Sequence, residues 1–296
     1  MNDWFFSLSL FFVSFLWAIN MGASGFSVAF ATLYSTKRVN FVLCVFLFTF
    51  FLLLGALLIG NKVSETLSSK VISQDTLSTK KWLVVIIFLS SGVSLFISNL
   101  MRVPSSTSII IMSSFLGSGI YLSDFYLMTF IYFVSFSLIS LFFSYFVTFF
   151  VTKIFYPPRY TNLWFYQKIL TNRKIMFLVI LLSSFYNAFS IGSNNVPNVV
   201  GPISSFLDPK LGLVLFSVLF GVGALILGMG VIKTVSEEIV PIGTLSSSII
   251  SVVVSSITIL ASIAGLPFPI VMVISASVIS ISTVKREVSH IYSIKN

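Results

Sequence analysis

Apolar residues run in long blocks along this chain, and polar residues are confined to the gaps between them. Trp4 to Ala18, Phe41 to Ile59, Trp82 to Ile97, Phe125 to Thr152, Ile175 to Phe189, Leu211 to Leu227 and Leu245 to Ala264 carry almost no charge. A helix of about 20 apolar residues crosses roughly 30 Å of hydrocarbon, and several blocks reach that length. Backbone N–H and C=O groups in lipid must be satisfied within the segment, so each block predicts an α-helix. A transmembrane β-barrel would instead alternate polarity over stretches of about ten residues, and no such alternation occurs. The first block carries Asp3, lacks a basic residue ahead of it, and is followed by no small-residue cleavage site. It therefore reads as a first membrane helix rather than a secretory signal.

Composition supports lipid as the solvent. Hydrophobic residues make up 57% of the 296 positions and charged residues 8%, against about 25% charged in ordinary soluble domains. The net charge of +9 matters through its location. Lys153, Arg159, Lys168, Arg173 and Lys174 fall in one gap without an acid, so the positive-inside bias puts that loop in the cytoplasm. Lys37 and Arg38, and a tail with Lys285, Arg286 and Lys295, fit the same side. The basic residues are not interleaved with aromatics in a nucleic-acid-binding pattern, and a nucleic-acid partner is not expected. The lone Cys44 can form no intrachain disulfide, and the lone His290 rules out a histidine-based metal or catalytic cluster. Serines without a nearby base are not nucleophiles. An enzyme is not expected, nor a bound cofactor or metal.

The chain also resembles itself. Residues 55–72, GALLIGNKVSETLSSKVI, align with residues 223–240, GALILGMGVIKTVSEEIV. Gly55/Gly223, Gly60/Gly228 and Thr66/Thr234 fall in register, which chance agreement of apolar residues does not explain. Upstream, GASGFSVA from Gly22 lies opposite GSNNVPNV from Gly192. Downstream, the proline at 104 has a counterpart at Pro267, so each half is expected to hold a small-residue helix break (from Gly22 and Gly192), a Gly-Ala helix end (at Gly55 and Gly223) and a Pro-centred break, in that order. The expected organisation is a first membrane repeat over 1–152, a basic linker over 153–174, and a second repeat with a short tail over 175–296. With the N-terminus outside, counting crossings starts the second repeat on the opposite side from the first. The fold expected is an all-α membrane protein of two inverted repeats, with interrupted or re-entrant helices and about nine to eleven membrane segments.

Transporter sites form where matching helices of such repeats are interrupted. Pro197 and Pro202 predict a helix break or a fresh start within residues 192–202, GSNNVPNVVGP. A fresh start presents free N–H groups and partial positive charge, which suit a phosphate-like anion. Asn194, Asn195 and Asn198 add hydrogen-bonding groups without negative charge. Pro104, Ser105, Ser106 and Thr107 repeat the theme in the first half, where the hydroxyls could instead bond back to their own helix. Arg102 beside them either contacts an oxyanion or marks a cytoplasmic helix end. Asp124, Glu237 and Glu238 are candidates to carry a coupling proton.

These residues resemble the inorganic phosphate transporter (PiT/PHO4) family. GSNNVPNVVGP is similar to that family's Gly-Ser-Asn-Asp-Val-Ala-Asn-Ala-Ile-Gly-Pro signature, and GASGFSVAFAT to its first copy. VPSSTSIIIMSSFLG resembles its Pro-Val-Ser-Thr-Thr-His segment, and GLPFPIVMVISAS the second copy of that segment. GVIKTVSEEI resembles its Val-x-x-Thr-Val stretch. The resemblance implies ion-coupled uptake of phosphate into a cell through the plasma membrane. Its substrate contacts would be Ser24, Ser105, Ser106, Thr107, Asn194, Asn195 and Asn198, with Na+ or H+ as coupling ion and pairing of two copies left open. The chain departs from the pattern at Gly25 and Asn195, where the family has aspartates. It departs again at Val28, where the family has asparagine, and at Phe268, Pro269 and Ile270, where it has hydroxyls. Lost carboxylates weaken a sodium site and remove repulsion against a dianion. Sulfate or another tetrahedral oxyanion is therefore the alternative substrate, and a repeat protein that has lost transport the alternative role.

Overall fold

A computed structural model describes residues 3–101, 105–158, 160–238 and 243–294. The first half contains α1 (Asp3–Ser35), α2 (Phe41–Ile59), α3 (Asn61–Ser69), α4 (Gln74–Thr79), α5 (Trp82–Leu100), α6 (Thr107–Leu122) and α7 (Leu127–Phe155). A linker with the single turn α8 (Leu163–Phe165) leads to α9 (Arg173–Ile203), α10 (Pro209–Glu238), α11 (Thr244–Ile263) and α12 (Ile270–Ile294). Six of these are long and apolar enough to cross a membrane, and stretches of α5 and α6 are apolar but shorter. Polar residues set the boundaries. The Asn40 side chain accepts from the Leu43 N–H and starts α2, and Asn172 accepts from the N–H groups of Lys174 and Ile175 and starts α9. Asp208 accepts from the Leu211 N–H behind Pro209 in the first turn of α10.

Glycines decide how the four central helices cross. A Cβ on Gly22 of α1 would lie 2.2 Å from the Phe220 carbonyl oxygen of α10, and one on Gly223 equally close to that of Ile19. The same crossing recurs between α9 and α2, where Gly192 meets the Leu52 carbonyl and Gly55 that of Phe189, each at 1.9 Å. Small residues let backbones touch where lipid supplies no hydrophobic drive between helices. These glycines are crossing points, not the helix breaks or ends expected from the sequence. α1 and α10 run unbroken through them because the helical backbone bonds stay intact and only the side-chain layer is removed.

α1 and α9 run antiparallel. The Val28 carbonyl accepts from Asn187 Nδ2 at 3.4 Å, Phe30 lies 6.3 Å from Phe185, and Gly25 packs on Ile191, so numbers rise on one helix as they fall on the other.

Two helical hairpins flank this core. Trp82 at the start of α5 meets Phe5 and Phe6, while the N–H of Tyr126, just past α6, donates to the Val71 carbonyl. Both ends of the α5–α6 hairpin thus lie at one end of the bundle and its tip points inward. α11 runs parallel to α9, with Ser183 hydrogen-bonded to Ser248 and Ser193 to Ser262. α12 returns beside α7 through Ser144–Ser277, Thr148–Ser277 and Ser280 to the Tyr145 carbonyl. This second hairpin enters from the opposite end.

Candidate functional site

The two hairpin tips converge on one turn of α9. From the first tip, Ser108 Oγ accepts from Asn198 Nδ2 at 2.9 Å. At the second, Asn194 uses its whole amide. Nδ2 donates to Ser262 Oγ and to the Leu266 carbonyl, both at 3.0 Å, and Oδ1 accepts from the Phe268 N–H at 2.8 Å. Ser193 adds a bond to Ser262 at 3.1 Å. Gly265 turns this tip at φ +76, a left-handed conformation that side chains rarely adopt. A Cβ there would sit 3.1 Å from the Lys62 carbonyl and from Thr66 Oγ1 of α3.

α9 continues as a helix through Pro197 and Pro202, against the break expected there. The reason lies in the neighbours. Pro197 packs where a Cβ on Gly60 would be 2.9 Å from its ring, and Gly201 admits Leu67 and the Ser64 carbonyl. Room for the rings and tight burial of this turn keep the helix whole, as happens in membrane helices. A helix start occurs instead at the first tip. Intrahelical bonding cannot reach the first N–H groups of α6, and the Ser106 side chain, though buried, does not cap them.

Asn198 is fully buried and Asn195 half-buried, and each carries an Oδ1 atom with no protein partner. Buried polar atoms normally find a partner, and these two acceptors have room only for a hydrogen-bond donor, such as a water or a protonated ligand oxygen. Ser105 and Thr107 are half-buried beside Ser106. Ser24 lies apart, exposed on α1, with its carbonyl accepting from Ser27. Arg102 and Pro104 lie outside the described residues, as do the side chains of Glu237, Glu238 and His290. No aspartate, glutamate, lysine, arginine or histidine occurs in residues 192–202, 105–108 or 264–270. No cluster of three metal-ligating side chains occurs among the described residues.

Residues 21–294 match the phosphate transporter family. The chain belongs to that family.

Within the family it is similar to the sulfate permease CysP of Bacillus subtilis (strain 168), 31% identical over 287 residues, covering 94% of this chain and 78% of that one. Among solved structures it is similar to a sodium-dependent phosphate transporter, with a TM-score of 0.75 at 17% identity over 94% of this chain and 90% of the other. That likeness shows the shared fold. A membrane transporter of the phosphate transporter family thus carries residues 105–108 and 264–268 at two hairpin tips, both held by α9. Sequence reading missed Ser108 and Ser262. Ser108 extends the hydroxyl run at 105–107 and was within reach, whereas Ser262 sits in an ordinary apolar stretch and gives no local signal.

Asp124 has a structural task. Ser73 and Thr76 hydroxyls both donate to its Oδ2, tying the α6–α7 turn to the start of α4. These two bonds hold its carboxyl below the usual carboxylate range, so it stays ionised and is poorly placed to carry a coupling proton near neutral pH.

Proposed function

We propose that this chain is a secondary transporter of inorganic phosphate that binds its substrate where the two hairpin tips meet residues 194–198 of α9. The convergence of both tips on that single helical turn is the observation that carries the reading. Asn195, Asn198, Ser105, Ser106, Thr107 and the free N–H groups of α6 form the anion contacts. Oxyanion oxygens accept from amide N–H, hydroxyl and backbone donors, while the free Oδ1 atoms of Asn195 and Asn198 accept from a protonated phosphate oxygen or a bound water. Asn194 acts one step back, holding the second tip so that its backbone faces the substrate. Ser24, exposed on α1, meets the anion in one state of the cycle.

Alternating access follows from inverted repeats. The antiparallel pairing of α1 with α9 and the two matching glycine crossings support an inverted relation between 1–152 and 175–296. The basic end, with Lys37, Arg38 and the 153–174 linker, faces the cytoplasm of a cell whose plasma membrane holds the protein. Coupling to Na+ or H+ drives uptake, and the resemblance in fold to a sodium-dependent transporter favours Na+.

Sulfate is the second reading, favoured by Gly25 and Asn195. Where a site has no carboxylate, it lacks the acceptor-only group that separates a protonated phosphate from fully ionised sulfate. The 31% identical permease points the same way. Uptake of labelled phosphate into proteoliposomes, with sulfate as competitor and sodium and proton gradients set independently, tests both. Saturable phosphate uptake resistant to sulfate is expected. Uptake abolished by sulfate moves the substrate to the second reading, and no uptake of either anion by folded protein overturns both.

A further inference from the structure

One end of the bundle gathers cations that have no counter-charge among its described side chains. The α1–α2 turn lays Arg38 against the start of α9, where its guanidinium donates to the Arg173 carbonyl at 3.0 Å and lies 5.1 Å from the Phe177 ring centre. That contact brings Lys37, Arg173 and Lys174 to one exposed patch, and Lys168 on the preceding linker is exposed as well. The described acids lie elsewhere. Glu65, Asp75 and Asp124 belong to the loops at the opposite end, and Asp208 follows Phe206, whose ring meets Phe6 at that same opposite end. Clustered like charges repel, and an anion supplied from outside the chain relieves that repulsion.

The adjoining linker shows which anion fits. Asn162 Nδ2 donates to the carbonyls of Ile154, Phe155 and Pro157 at 3.0, 3.3 and 3.1 Å, satisfying the end of α7. The Tyr166 hydroxyl also donates to Phe155, and the Phe155 and Phe165 rings stand 4.6 Å apart. The linker is therefore fixed on the end of α7 rather than trailing from it. It turns Tyr160, Leu163 and Trp164 outward, 95%, 40% and 58% exposed. Rigid outward aromatics beside cations, at the level where an apolar helix ends, match the headgroup zone of a bilayer.

We propose that this surface binds anionic phospholipid headgroups of the leaflet it sits in. Lys37, Lys168, Arg173 and Lys174 meet the phosphates, and Tyr160 and Trp164 sit at the interface. A soluble anion would use the cations alone and leave the aromatic edge without a role.

The test uses the full chain, delipidated in detergent and titrated with phosphatidylglycerol or phosphatidylcholine, reading bound lipid by native mass spectrometry. Wild-type protein is expected to retain phosphatidylglycerol about tenfold better, a preference of a size four surface cations can supply. The variant K37Q/K168Q/R173Q/K174Q, which leaves Arg38 in place, is expected to lose it. Equal retention of the two lipids, an undiminished preference in the variant, or displacement of phosphatidylglycerol by glycerol phosphate overturns the proposal. A second measurement needs no charge variant. Brominated phosphatidylglycerol in nanodiscs should quench the fluorescence difference between wild type and W164F, more strongly than brominated phosphatidylcholine. No quenching, or equal quenching by both lipids, overturns it too.

Discussion

Asn194, Asn195 and Asn198 occupy one turn of one helix, and their surroundings give each a different task. Asn194 has every polar atom committed to protein, whereas Asn195 and Asn198 each keep a buried Oδ1 free. Replacing Asn195 by Leu removes a substrate contact without touching the helical backbone. Uptake by that variant should fall at least tenfold while it inserts and purifies normally, and retained uptake would remove Asn195 from the site. At the other end of the α6–α7 turn, Asp124 offers a pH test. Its carboxyl titrates lower in the folded protein than in the unfolded chain. Its stabilising contribution is therefore fully present above an ordinary aspartate pKa of about 4 and is lost as pH falls through the depressed value. Wild type should melt above D124N near pH 6, and the gap should close on acidification below about pH 4. A gap independent of pH would mean that the hydroxyl contacts, not the charge, hold the turn.

At the level of elements, the two hairpins are tied to α9 by different side chains. Three hydrogen bonds from Asn194 fasten the second tip, while Asn198–Ser108 joins the first tip to the same turn. Truncating Asn194 to Ala leaves the Phe268 N–H and Leu266 carbonyl without their partner, a loss of about 1–3 kcal/mol for each buried group left unsatisfied. Amide hydrogen exchange over residues 264–270 should rise in N194A with little change over 107–122, and uniform change in both would refute the hold of Asn194 on the second tip. Much of this arrangement was legible in the sequence. Apolar blocks located the membrane helices, and the Asn and Ser/Thr segments singled out in the sequence are the ones that meet at α9. The misreadings share one cause. Pro197, Pro202 and Gly22 were read as local breakers, but whether a helix breaks depends on partners distant in sequence. Gly60 and Gly201 make room for α9, and Phe220 presses on α1 at Gly22. Ser262 stayed hidden for the same reason, since only the parallel register of α9 with α11 brings it to Ser193 and Asn194.

Across the whole molecule, stability and motion draw on different parts of the fold. The glycine crossings are rigid. A side chain at Gly192 would drive an atom into the Leu52 carbonyl, which belongs to backbone and cannot turn aside. Gly192→Leu should abolish the monodisperse peak in fluorescence-detected size-exclusion chromatography. Gly92→Leu, with nothing within 4 Å of its would-be Cβ, should behave as wild type. The opposite outcome would refute the crossing. The repeats are chemically unequal where motion matters. At the α1 positions matching Asn194 and Asn198 stand Ser24 and Val28, neither of which can fasten a hairpin with a full amide. Ser24 is exposed on α1, and the proposed cycle has it meet the anion in one state. Cys44 is the chain's sole cysteine and is buried, so Ser24→Cys in a Cys44→Ser background makes a clean reporter. A hydrophilic thiol reagent should label it readily in the absence of substrate and several-fold more slowly with saturating phosphate or sulfate. Slowing by one anion alone would identify the substrate. Labelling indifferent to both would place Ser24 against lipid and leave α1 outside the transport path.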